Sequence, residues 1–300
     1  MAILTTENLT KIYAGSHVVD SVNITVNEGE IYGFVGRNGA GKTTVIRMLS
    51  GLAKKSAGGY TIFGVPDTSR EINIVRRDVR VMVETATLHS GLTAAQNLTL
   101  QCKLLGESTD CINGLLREVE LPDVGNKKVK NFSLGMRQRL AIAMSMVGSP
   151  KLLLLDEPTN GLDPEGIFQV RELLVKLNRE RGVSMLVSSH ILSELAKFAT
   201  CYGFIERGKL IKEITAEELN NECKNVLRIK VNETELADTL LASRGLHFRQ
   251  ESNNIEIVDV ENTNEILSYL TSSGVTVLGF DNIDGDLERY FLRLIGGTHE

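Results

Sequence analysis

Apolar positions fall into two regimes along the chain. In the first two thirds they gather in short, nearly unbroken runs: Ile31 to Val35 in "EIYGFV", Leu152 to Leu155 in "KLLLLD" and Met185 to Ser188 in "MLVSSH". Runs of this length, bounded by charged residues, glycine or proline, read as strands buried on both faces, as in a parallel sheet covered by helices. Elsewhere the spacing is helical. Val45, Met48, Leu49 and Leu52 mark one face of a helix that begins where a glycine-rich loop ends. From about residue 218 the pattern changes. A strand (226–231), a helix (233–242), a hairpin turning at Asn253-Asn254, a helix (263–272) and a strand (275–280) follow in order, then a last helix over 287–294. That βαββαβ order predicts a small ferredoxin-like α+β domain.

Charge sharpens the division. The chain of 300 residues has a formal charge of −5, but residues 218–300 hold 7 Lys/Arg against 15 Asp/Glu, a net of −8, which leaves residues 1–217 at +3. Two units are therefore expected, 1–217 and 218–300, the second acidic. An acidic chain without a basic stripe is a poor match for direct nucleic-acid binding, and Lys127, Lys128 and Lys130 read as a solvated face. Cys102, Cys111, Cys201 and Cys223 show no CxxC spacing and read as reduced packing thiols. No leader peptide is visible. The longest aliphatic run, Leu152 to Leu155, is far too short to span a bilayer, so any work at a membrane would need a partner there.

The loop between the first buried run and the helix reads "GRNGAGKTT", residues 36 to 44, and fits GxxxxGK[ST]. Gly36, Gly39 and Gly41, with Asn38 and Ala40 between them, let successive backbone N–H groups turn inward around phosphate oxygens. Lys42 reaches the β- and γ-phosphates, Thr43 offers a hydroxyl to Mg²⁺, and the helix starting through Thr44 adds its positive end. The loop predicts nucleoside-triphosphate binding. In "KLLLLDEPTNGLDP" the strand delivers Asp156 and Glu157 to the sheet edge where such folds bind ligands. Asp156 would hold Mg²⁺ through water and Glu157 would polarise the attacking water. Adjacent carboxylates are costly unless a cation is near. Asp163 before Pro164 reads as a helix cap. His190, just past the run at 185–188, is either a packed or solvent histidine or a γ-phosphate contact. Ser133, in "NFSLGMRQRLAIA", reads as an N-cap.

Taken in this order, the four stretches resemble the ABC-transporter ATPase family, from about residue 3 to 217. The resemblance implies an α/β P-loop fold: a mostly parallel core sheet, an N-terminal antiparallel part and a helical subdomain over about 85–145. It also implies a head-to-tail homodimer closed over two Mg-ATP, in which Ser133 and Gly135 of one copy complete the phosphate cage of the other and Asp163 lies in the loop passing between the sites. Tyr13 falls where the family stacks an aromatic on adenine; a half-buried strand tyrosine is the alternative. Two features depart from the common pattern. Glu84 stands where a Mg²⁺-contacting glutamine is usual, and FSLGM replaces LSGGQ. Together with LDEPTNGLDPEGI, these resemble the bacterial branch serving bacitracin-type and lantibiotic self-protection exporters, whose ATPases work on the inner membrane face with separate polytopic permeases. Exporters of other drugs or of polysaccharides, a soluble ATPase acting on DNA repair or the ribosome, and a non-hydrolysing nucleotide sensor are the competing readings.

Overall fold

The computed structural model describes residues 1–83, 88–223, 226–251, 254–258, 260, 262–283 and 287–296. By its internal contacts the chain divides into two units, Met1–Ala216 and Glu217–Glu300.

The first unit opens with strands β1 (Ala2–Tyr13), β2 (Ser16–Val22), β3 (Thr25–Asn27) and β4 (Ile31–Val35), followed by helix α1 (Lys42–Leu49). Next come β5 (Ala57–Ile62), β6 (Val65–Pro66), α2 (Ile72–Val75), β7 (Val79–Met82), α3 (Ala94–Leu105), α4 (Ile112–Glu118) and α5 (Leu134–Ser145). The unit is completed by β8 (Leu152–Asp156), α6 (Pro164–Arg181), β9 (Ser184–Ser189), α7 (Leu192–Leu195), β10 (Cys201–Glu206) and β11 (Lys209–Thr215). An antiparallel sheet runs β2-β1-β5-β6, with β3 also paired to β1. The second sheet, β11-β10-β4-β9-β8-β7, is parallel from β10 through β7, and β11 closes one edge antiparallel.

The apolar runs became the centre of that sheet. All residues of β4, β8 and β9 are buried, as expected for strands covered on both faces. Side chains from both sheets and α1 meet in one core, which includes Leu4, Val26, Phe34, Val45, Leu154 and Leu186. Helices α3, α4 and α5 pack on one another between β7 and β8 in the chain. Residue α3 starts from is fixed by a capping box, in which the Thr93 hydroxyl accepts from Gln96 N–H and the Gln96 side chain accepts from Thr93 N–H.

One expectation fails in this unit. Leu52 does not continue the buried face of α1: the helix ends at Leu49, Gly51 takes φ +80°, and Leu52 is 70% exposed beyond that turn. The left-handed glycine re-aims the chain before the next helical position is reached.

After α8 (Ala216–Glu222), the second unit contains β12 (Val226–Val231), α9 (Thr234–Ser243), β13 (Phe248–Glu251), β14 (Asn254–Val258), α10 (Thr263–Ser272), β15 (Val277–Ile283) and α11 (Leu287–Leu294). Its sheet is antiparallel between neighbours in the order β13-β14-β12-β15. This is the ferredoxin-like arrangement, with its own core of Leu227, Ile229, Leu241, Ile257 and Leu270. The last strand starts later than the apolar pattern suggests. Val275 is buried, but it follows Gly274 at φ +95°, and pairing with β12 begins only at Val277.

Candidate functional site

The loop from Gly36 to Gly41 leaves the carboxyl end of β4 and enters α1 directly. Gly36 N–H donates to Ser189 O at 3.2 Å, pinning the loop to the neighbouring strand. Gly41 has φ +111°, and a Cβ there would lie 2.8 Å from Val18 O, so no other residue fits without moving the backbone. Three first-turn residues of α1, Lys42, Thr43 and Thr44, offer N–H groups for which the helix itself supplies no acceptor. Lys42 is 5% exposed. Its Nζ donates to Gly36 O at 2.5 Å and Arg37 O at 3.2 Å, which curls the side chain back over the loop.

Strand register brings the other candidates to the same edge. Val35 lies opposite Ser189, and Asp156 lies opposite Ser188. Asp156 is 1% exposed; its Oδ2 accepts from the Thr43 hydroxyl at 2.7 Å and its Oδ1 from the Ser188 hydroxyl at 2.6 Å. Glu157 follows in the left-handed region at φ +49°, a conformation that costs a non-glycine residue about 1 kcal/mol or more. Its N–H is held by Ser188 Oγ at 2.9 Å. The turn beyond it is tied by Asn160 N–H to Glu157 O at 3.1 Å and by the Thr159 hydroxyl to Glu194 Oε2 at 2.6 Å.

That backbone aims the Glu157 carboxylate inward. Oε2 lies 2.8 Å from His190 Nδ1. Oε1 is buried and faces Lys42 Nζ at 3.1 Å, close enough for an ion pair but without hydrogen-bonding alignment. Lys42 thus supplies a cation to Glu157, while Asp156 is held by the Thr43 and Ser188 hydroxyls, and the histidine is neither loose on the surface nor packed in the core.

Ser133 and Gly135 sit elsewhere in the unit. The Ser133 hydroxyl caps α5 by accepting from Met136 N–H at 3.2 Å, and the Asp163 carboxylate caps α6 by accepting from Gly166 N–H at 3.1 Å. The two capped helix starts line one open cleft of about 470 Å³, with Leu134, Met136 and Arg139 among its walls and no residue of the 36–44 loop. A larger cleft of about 690 Å³ lies between α4 and α6, around Arg139 and Phe168; it contains none of the residues predicted to bind nucleotide. Tyr13 ends β1 as a residue 47% exposed, with Lys11 Nζ 4.5 Å from its ring centroid. Glu84 lies outside the described residues.

Two residues at this edge are not apparent from the motifs. Ser188 joins Asp156 to Glu157. Gln138, buried on α5, donates its side-chain amide to Pro158 O and so links the helix that carries Ser133 to the segment after Glu157. Both act across strands or helices distant in sequence. The buried polar character of Ser188 within an otherwise apolar run is the only local sign of either.

A parallel sheet whose carboxyl edge joins a phosphate loop, two carboxylates and a histidine defines a P-loop ATPase of the ATP-binding-cassette type. The chain belongs to the ATP-binding proteins of ABC transporters, and it binds and hydrolyses ATP. The ABC transporter family profile matches residues 19–160. The bacitracin transport ATP-binding protein BcrA of Bacillus licheniformis is 39% identical over 300 residues, covering 98% of each chain. The lantibiotic transport ATP-binding protein SrtF of Streptococcus pyogenes is 41% identical over 211 residues, 70% of this chain and 90% of that one. Among solved structures, a dimeric ATP-binding cassette in a post-hydrolysis state with ADP and Pi superposes with a TM-score of 0.63 at 26% identity, covering 71% of this chain and 98% of that one.

Proposed function

We propose that this chain powers an exporter that expels a peptide antibiotic of the bacitracin or lantibiotic kind and so protects the cell that makes or meets it. The reading is supported by end-to-end similarity to a bacitracin transport ATP-binding protein and by similarity over the first unit to a lantibiotic one. Among the described residues no helix is long and apolar enough to cross a membrane. On this reading separate polytopic permease subunits carry the transport path and hold this subunit against the inner membrane face. Residues 1–217 act as the ATPase, with the helical part over about 85–145, and 218–300 as an accessory domain.

The observation that carries the mechanism is the bridging position of Glu157 between Lys42 and His190. The loop N–H groups from Asn38 to Thr44 donate to the phosphate oxygens, and Lys42 Nζ neutralises the β- and γ-phosphates. With Lys42 engaged by the γ-phosphate, Oε1 of Glu157 is free to take a proton from the attacking water, while His190 steadies Oε2 and meets the γ-phosphate. Tyr13 stacks on adenine.

The donors present fit Mg²⁺. The Thr43 hydroxyl and an Asp156 oxygen are hard ligands held 2.7 Å apart, and among the described residues no cluster of three His, Cys, Asp or Glu could cage a metal unaided. Mg²⁺ favours such a partial protein shell completed by phosphate oxygens and water. When bound, the ion would neutralise charge on the phosphates; Thr43 and Asp156 would hold it, with Glu84 as a further ligand.

Two copies close head to tail, so that Ser133 and Gly135 of one copy reach the triphosphate held by the other and Asp163 lies between the sites. The open cleft at these helix starts, separate from the loop of its own chain, supports this reading. The test is transport itself. Expressed with its permease in a sensitive host, the chain should raise resistance to bacitracin or a lantibiotic, and Lys42→Ala should abolish that resistance. Equal sensitivity with and without Lys42→Ala rejects the export assignment.

A further inference from the structure

The two carboxylates at the sheet edge are organised by one hydroxyl from a different strand. Ser188 is fully buried on β9, and its Oγ makes two bonds of opposite sense: it donates to Asp156 Oδ1 at 2.6 Å and accepts from Glu157 N–H at 2.9 Å. A serine hydroxyl has one proton to give and lone pairs to receive, so each group satisfies the other. Asp156 Oδ2 is meanwhile bonded by Thr43.

The two bonds to Asp156 are not equivalent. Thr43 is itself a candidate metal ligand, so its hydroxyl must turn its oxygen toward the ion when the ion binds. Ser188 stays on the opposite oxygen and sets the plane of the carboxylate. Its second bond holds the Glu157 amide, one residue further on, in a left-handed turn that a glutamate does not favour. An alanine at 188 would keep the strand but leave a buried carboxylate oxygen and the half-buried Glu157 N–H without these partners, a loss that native interiors rarely carry.

We propose that Ser188 is a positioning residue for the ATPase reaction: it orients Asp156 toward the metal and fixes the Glu157 backbone so that both carboxylates present their productive faces. Ser188 touches neither nucleotide nor metal and acts through its two neighbours. The inference rests on the assignment of Asp156 to the metal and Glu157 to the attacking water. Partners one bond behind a metal ligand commonly change metal affinity by about 10- to 100-fold when removed.

The experiment uses the full chain with adenylyl imidodiphosphate, which is not hydrolysed, and Mn²⁺ as a paramagnetic stand-in for Mg²⁺. Free Mn²⁺ is titrated by electron paramagnetic resonance for wild type, Ser188→Ala, Ser188→Cys, Ser188→Thr and Asp156→Asn. Nucleotide affinity in EDTA is measured alongside. Ser188→Ala should weaken Mn²⁺ binding about tenfold, Ser188→Cys should weaken it by less, and Ser188→Thr, which keeps the hydroxyl, should retain wild-type binding. Nucleotide affinity in EDTA should stay within a factor of about two, because the loop that grips phosphate does not depend on this hydroxyl. Wild-type Mn²⁺ affinity in both Ser188→Ala and Ser188→Cys overturns the proposal, as does an equal loss in Ser188→Thr. The cysteine variant keeps the side-chain volume and decides the matter if the alanine variant does not fold. Wild-type Mn²⁺ affinity in Asp156→Asn would instead reject the metal assignment of Asp156, a separate failure.

Discussion

Glu157 Oε2 lies 2.8 Å from His190 Nδ1, across the gap between the ends of two neighbouring strands. Its other oxygen faces the loop lysine, Lys42, at 3.1 Å. The carboxylate proposed as the catalytic base and the lysine proposed to bind phosphate are therefore partners before any reaction step, and on this reading triphosphate must take the lysine for itself. Glu157→Gln removes the negative charge that faces Lys42 and, on the proposed mechanism, the base that accepts the proton. Phosphate release should fall at least about 100-fold, within the range general-base catalysis contributes, while the Kd for ATP stays equal or tightens. Hydrolysis near the parent rate would remove Glu157 from its role.

His190 does less. It holds Oε2 of a carboxylate whose other oxygen faces Lys42, so His190→Ala should lower kcat by roughly 10- to 100-fold with little change in nucleotide affinity. Steady-state kinetics with a parallel binding titration separates the two quantities. A rise in Kd of the same size as the loss in kcat would show that His190 grips nucleotide instead of supporting the reaction.

The Gln138 amide bonded to Pro158 O joins the helix that offers Ser133 to the turn that aims Glu157. Removing it leaves a buried carbonyl unpaired, and a loss of about 1–3 kcal/mol follows. Gln138→Leu should lower the thermal midpoint by several degrees, the shift expected for that range in a unit of this size. It should also reduce turnover more than it reduces ATP affinity, since the phosphate loop is untouched. Unchanged turnover in a folded Gln138→Leu variant would mean that the link is only structural.

Burial sets the behaviour at alkaline pH. Desolvation, with the Cys111 thiol close by, pushes the Cys102 thiol up to about 11; desolvation likewise pushes the Tyr202 phenol up to about 12, and Tyr32 is raised by burial and by Glu213. Each group binds its proton more tightly folded than unfolded, where thiols ionise near about 8.5 and phenols near about 10. The unfolded chain therefore releases these protons first as pH rises. The stabilisation is complete below pH about 8.5 and is lost progressively up to about 12. Thermal midpoints measured from pH 8 to 11 should fall steadily above about pH 9, and Cys102→Ser should flatten the lower part of the decline. A midpoint flat across that interval would contradict the buried placement of these side chains.

Much of this site was legible in residue types and spacing. "GRNGAGKTT" between an apolar run and a helical repeat predicts a loop entering a helix, and the structure has β4 before it and α1 after it. Asp156 at the end of a leucine run and His190 just past another reach the same edge because the sheet is parallel and the strands are in register. Ser133 and Asp163 are local caps and could be read locally. What could not be read depends on pairing between distant segments. That β8 and β9 are neighbours, with Asp156 opposite Ser188, is a matter of sheet order, so the hydroxyl linking the two carboxylates stayed hidden. Leu52 was misplaced for a related reason: periodicity carries on past Leu49, but the left-handed Gly51 does not.

On the proposed mechanism a triphosphate gripped by Lys42 and its loop in one copy is capped by Ser133 and Gly135 of another. Solution scattering of Glu157→Gln with Mg-ATP, with and without the permease subunits, tests it most directly. The account predicts a particle of twice the mass of one chain that reverts to single chains when Ser133→Arg is added. Single chains throughout, at saturating nucleotide and with permease present, would contradict it.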